Sequence, residues 1–79
     1  MNEEEIKSLL EQGIPGCQVT VGGDGRHFEA VIVSDQFAGK SMIQQHRMVY
    51  DALGDSFQTD AIHALSFKTL TPEEAAARG

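Results

Sequence analysis

Tryptophan is absent from this 79-residue chain, cysteine occurs once, at Cys17, and proline twice, at Pro15 and Pro72. A lone cysteine excludes an internal disulfide and any CxxC or four-cysteine metal site built from this chain alone. A reducing compartment, the cytoplasm, is the expected location. No apolar run approaches the roughly 18 residues that span a bilayer. The opening MNEEEIKSLL carries acids where a secretory leader needs positive charge, so neither export nor membrane insertion is expected. Basic residues are scarce as well. Six Lys and Arg stand against twelve Asp and Glu, a formal net charge of −6, which opposes the non-specific phosphate binding of a strongly basic chain.

What remains is enough for one domain, expected to span residues 1–79. A chain of this size buries about 60% of the surface it exposes when unfolded, and such a core leaves no room for a deep substrate cavity. The first segment, NEEEIKSLLEQG, offers Asn2 as N-cap, Glu5 three residues on, Ile6, Leu9 and Leu10 at helical spacing and Gly13 as a stop. CQVTV, residues 17–21, alternates Cys17, Val19 and Val21 with Gln18 and Thr20; HFEAVIVS follows the glycine-rich GGDGR, and together they predict a hairpin. SMIQQHRMVYDALG predicts the principal helix, capped by Ser41 and Gln44, with Met42, Ile43, Val49, Tyr50 and Leu53 on one side and Gly54 at its end.

DSFQTD predicts a short helical turn and DAIHALSFKTL, residues 60–70, a third strand. TPEE starts a last helix with Thr71 as cap, Pro72 at the first helical position and Glu74 completing the box. A helix between the second and third strands demands a crossover, so those two are expected to lie parallel. The predicted class is α+β, in the order α-β-β-α-(α)-β-α, with helices packed on a three-stranded mixed sheet.

The residues that bear chemistry are few. In a strand over 60–70, Ala61, His63, Leu65 and Phe67 share one face and Ile62, Ala64, Ser66 and Lys68 the other. His63 is then a satisfied core group or a ligand at the rim. His46 lies on the helix stripe and is expected to pack, whereas His27 opens a strand where a partner can reach it. Two imidazoles are too few to hold a metal tightly, so a site using both would need ligands from a second molecule. Cys17 reads as a small buried hydrophobe. VGGDGRHF lacks a Walker lysine and a following helix, and a hairpin turn explains it better than a phosphate cradle. Ser34, Ser41 and Ser66 each have a capping or surface role and no neighbouring base, so an enzyme is not expected. Lys40 and Arg47 lie near the start of the principal helix, where a phosphate or a carboxylate could be attracted, although a solvated helix terminus is the plainer reading.

Taken together, VIVSDQFAGKSMIQQHRMVYDAL and AIHALSFKTLTPEE resemble the BolA family. Its pattern runs from VVS through a phenylalanine-glycine loop and a helix containing HR and VY to an IHAL strand and a TPEE terminus. GDGRHF is similar to the loop of the bacterial IbaG-like (YrbA) subgroup. The resemblance implies a fold like the type II KH domain and a heterodimer with a monothiol glutaredoxin that shares a [2Fe-2S] cluster, within iron–sulfur and iron homeostasis and the stress response. The glutaredoxin cysteine and glutathione would supply thiolates, and this chain His63 and His27. Imidazole in place of thiolate raises a cluster's potential. The isolated chain is then expected to be a cofactor-free monomer. The alternative implied by the family is a KH-like regulator of transcription that binds DNA. For either partner the expected contact surface includes Lys40, Arg47 and Phe37, and the glutaredoxin is expected to dock around His63 and the neighbouring third strand. Gln45 departs from the family's QRHR pattern and removes a positive charge from the helix.

Overall fold

A computed structural model of the chain describes residues 3–23, 27–54 and 65–78. Helix α1 spans Glu3–Gly13, strand β1 Gln18–Gly23, strand β2 Phe28–Val33, helix α2 Met42–Leu53, strand β3 Leu65–Leu70 and helix α3 Pro72–Arg78, with a 3-10 turn at Asp35–Phe37. The sheet runs β1-β2-β3. β1 and β2 are antiparallel, with Gln18 opposite Val33, and β2 and β3 are parallel, with Phe28 opposite Leu65. This is the mixed sheet that the crossover argument requires. The helical turn predicted at DSFQTD and the part of the third strand before Leu65 lie outside the described residues, as does Asn2. No helix among the described residues is long and apolar enough to cross a membrane.

Two capping boxes hold where the sequence places them. The Gln44 amide N–H donates to Ser41 Oγ at 3.2 Å while the Ser41 N–H donates to Gln44 Oε1 at 2.9 Å. The pair Thr71 and Glu74 repeats the arrangement at α3, with the same distances. α1 ends in a turn in which the Cys17 N–H donates to the Ile14 carbonyl at 3.1 Å. Pro15 and Gly16 occupy its centre, and Gly16 has φ +83°, the Pro-Gly signature of a type II turn.

Helix α1 lies over β1 and α2 over β3, and the two helices pack together on the same side of the sheet. Between them and the sheet sit Ile6, Leu10, Ile14, Cys17, Val19, Ala30, Ile32, Phe37, Val49 and Leu53. The opposite face is open: Thr20, Glu29, Val31, Ser66 and Lys68 are exposed there, and α3 meets its edge, Ala75 lining a shallow hollow with Val33 and Leu70.

Three expectations change. Of the five residues expected on one side of α2, Val49 and Leu53 are buried, but Met42, Ile43 and Tyr50 are 59%, 74% and 45% exposed, and Gln45 joins the inward face in their place. Gln45, Val49 and Leu53 recur every four residues, and at 100° per residue Ile43 falls on the far side of the helix from them. β1 also runs past Val21 through the two glycines that composition assigns to the turn. Gly23 pairs with Phe28, and a Cβ at Gly23 would collide with the His27 carbonyl. Gly13 ends α1 as expected, but for a tertiary reason: a Cβ there would overlap Ala52, where α1 and α2 touch.

Candidate functional site

His27 is exposed and immediately precedes β2. The close approach of Gly23 to its backbone brings the two strands of the hairpin together beside it. Because β2 and β3 are parallel with Phe28 opposite Leu65, the two strands begin at the same end of the sheet. His63, two positions before Leu65 in sequence, lies outside the described residues. Among the described residues, no three His, Cys, Asp or Glu side chains gather closely enough to hold a metal ion.

His46 packs as the helix stripe suggests. Half-buried, it sets its ring edge-to-face on Phe67, with centroids 4.8 Å apart and planes at 63°. Tyr50 approaches the same Phe67 at 5.5 Å and 81°, so β3 and the outer side of α2 are joined by three rings. Such pairs add about 0.5–1.5 kcal/mol beyond the area they bury.

Lys40 and Arg47 come together. Both line a shallow groove of about 220 Å³ along α2, with Gln44, Met48 and Asp51. Phe37 does not join them, and its expected place on a contact surface is corrected: it is 0% exposed, part of the core. The 3-10 turn that follows Ser34 points its ring inward, with Ser34 Oγ accepting from the Gln36 N–H at 3.1 Å. An aromatic ring there gains more by leaving water than by waiting at a surface for a partner.

A residue that the helix pattern conceals holds this region. Gln45 is buried, and its amide nitrogen donates to the Phe37 carbonyl at 3.1 Å and the Lys40 carbonyl at 3.0 Å, while its oxygen accepts from Thr69 Oγ1 at 2.6 Å. Gln45 is therefore an interior tie between the loop, α2 and β3, not a vacated surface charge. Its position four residues before Val49 and eight before Leu53 is the one sequence signal that marks it as inward-facing.

Cys17 is 8% exposed, and its thiol donates to the Leu10 carbonyl at 3.5 Å. Burial pushes its pKa up, and the charge of Glu11 adds to the effect. A thiol held protonated in this way is a poor nucleophile and a poor ligand, in keeping with a packing role.

The fold and these residues define a small α+β protein with a mixed three-stranded sheet and no deep catalytic cleft among the described residues. A family model described as BolA-like protein matches residues 6–74, and the chain belongs to that family. It is 37% identical over 74 residues to the acid stress protein IbaG of Escherichia coli K12, covering 94% of this chain and 88% of IbaG. A match to the DNA-binding transcriptional regulator BolA of the same organism is 40% identical over 52 residues, covering 66% of this chain and 49% of the regulator. Among solved structures, a BolA protein homologue from Coxiella burnetii superposes with a TM-score of 0.80 at 43% identity, over 96% of this chain and 97% of that one.

Proposed function

We propose that this chain is a non-enzymatic, cytoplasmic partner of a monothiol glutaredoxin that binds or relays a shared [2Fe-2S] cluster in iron–sulfur homeostasis and the stress response. The observation that carries the reading is the parallel pairing of Phe28 with Leu65. It starts β2 and β3 at one end of the sheet, with exposed His27 directly before the first and His63 two positions before the second in sequence. His27 and His63 are the ligands this chain would contribute, and the glutaredoxin cysteine and glutathione would complete the set. The cluster would be carried, not used as a reagent. The order of helices and strands also supports a likeness to the type II KH domain. The test is to mix or co-express the chain, a monomer on its own, with the monothiol glutaredoxin of its host. A one-to-one complex on size exclusion with cluster absorption in the visible is expected; no binding to either the apo or the cluster-loaded glutaredoxin would contradict the reading.

A second reading, a KH-like DNA-binding regulator, has one observation in its favour: Lys40 and Arg47 share a groove. A relative bears a regulator's name. Binding of this kind would weaken steeply with salt, and replacing both residues with alanine would flatten that slope. Absence of binding to a DNA duplex at low salt would dispose of it.

A further inference from the structure

The outward side of α2 carries a row of side chains that packing only partly covers: Tyr50 meets Phe67 with one side of its ring, and the sulfur of Met42 accepts from the Thr69 hydroxyl at 3.8 Å. Ile43, Arg47 and Tyr50 stand at i, i+4 and i+7, within one narrow arc of the helix, and Met42 is exposed beside them. Singly exposed apolar side chains are ordinary, whereas a contiguous row is the mark of an interaction surface. Along one flank of this row runs the groove of Lys40 and Arg47, two cations against the single carboxylate of Asp51, in a chain whose formal charge is −6. Along the other flank Tyr50 meets Phe67, so the row adjoins β3. The ridge is also held firmly. The Ser41 and Gln44 box caps α2, the Gly54 N–H closes its end on the Tyr50 carbonyl, and Gln45 ties down the Lys40 carbonyl. A surface fixed before binding loses less entropy when a partner arrives.

From this we infer that the outward ridge of α2, Ile43–Arg47–Tyr50 flanked by Lys40, is a docking helix for a protein partner that offers an apolar groove edged with carboxylates. Charge complementarity selects the acidic rim: Lys40 and Arg47 sit together at this face, whereas the exposed Glu3, Glu4 and Glu5 of α1 and Glu73 and Glu74 of α3 would repel such a partner at theirs. The apolar row selects protein over nucleic acid, because a phosphate backbone gains nothing from covering Ile43 and Met42, while a helix seated in a groove draws its affinity from anchors at this spacing. The inference rests on the proposed partnership with a glutaredoxin and names the face through which it is made.

The experiment is isothermal titration of the host's apo monothiol glutaredoxin with the full chain, with Ile43→Ser and with a Lys40→Ala/Arg47→Ala double variant. Both variants change exposed side chains, so their unfolding midpoints should match that of the unaltered chain. Ile43→Ser should weaken binding at least tenfold with an unchanged salt slope. The double variant should weaken it and flatten the slope, as expected of a few rim ion pairs. Binding by Ile43→Ser at full strength would overturn the docking face while leaving the glutaredoxin reading in place. Failure of the unaltered chain to bind would overturn that reading and, with it, this assignment. Loss of DNA affinity in the double variant with glutaredoxin affinity untouched would overturn the choice of a protein partner.

Discussion

Gln45 spends both of its amide hydrogens on carbonyls of the loop before α2 and its oxygen on the Thr69 hydroxyl. A leucine of similar volume would remove the amide donor to the Lys40 carbonyl and leave the buried Thr69 hydroxyl only the weak acceptor Met42 Sδ at 3.8 Å, while the Phe37 carbonyl keeps the Lys40 N–H at 3.2 Å; a buried polar group left unsatisfied costs about 1–3 kcal/mol. Gln45→Leu should therefore lower stability by about 1–3 kcal/mol, measured by urea unfolding. Thr69→Val should cost less in the Gln45→Leu background than in the unaltered chain, because the bond it would break is already gone. The capping residues Ser41, Gln44, Thr71 and Glu74 were legible in the sequence because each bond spans three positions. Gln45 was not, since its partners lie 8 and 24 positions away and its residue type suggests a solvated face. Phe37 misled in the opposite sense: a ring beside a glycine-containing loop suggests a contact surface, and only the 3-10 turn shows where it goes.

Helices add constraints that no single residue displays. Gly13 serves as a stop in the sequence pattern, yet what the structure asks of it is an absence of side chain against Ala52. Gly13→Ala would normally strengthen a helix. Here the new methyl must displace α2, and the variant should lose about 1–3 kcal/mol, the usual range for overpacking. Gly22→Ala, which meets open space, should leave the unfolding midpoint nearly unchanged in the same melt and serves as the control. The existence and order of α1, β1, β2 and α2 were legible from apolar spacing, as was α3 from Thr71-Pro72. The roll of α2 was not. Its apolar residues surround too much of the helix for composition to choose a face, and the choice falls to packing on β3 and to the Gln45 bonds.

At the scale of the whole molecule, a helix between β2 and β3 demands a crossover and a parallel pair, which the sheet shows, and that pair underlies the proposal that His27 and His63 act together. Strand alternation also put Leu65 and Phe67 on one face, where both are half-buried toward the helices, and Ser66 and Lys68 on the other, where both are exposed. Placement of Lys40 beside Arg47 was legible in outline, because one precedes and the other lies within the same helix. The proposed ligand pair stands on different ground. Residue chemistry left His63 open between core and ligand, and His27 and His63 came together only through the family resemblance; the start of the third strand lies outside the described residues.

The most direct test of the claim that these imidazoles hold a shared cluster is visible circular dichroism of the cluster-loaded heterodimer, followed over time and pH, for the unaltered chain, His63→Ala and His46→Ala. Ligation needs a neutral ring, and an ordinary imidazole has a pKa of about 6.5. Cluster retention by the unaltered complex should therefore decline as pH falls through that region. His63→Ala should alter the spectrum and speed cluster loss without a large change in the melting temperature of the chain. His46→Ala, which removes a ring packed on Phe67, should lower the melting temperature and leave the spectrum intact. A His63→Ala heterodimer with the unaltered spectrum and cluster lifetime, its chain merely less stable, would contradict the account and make His63 a packing residue of the core.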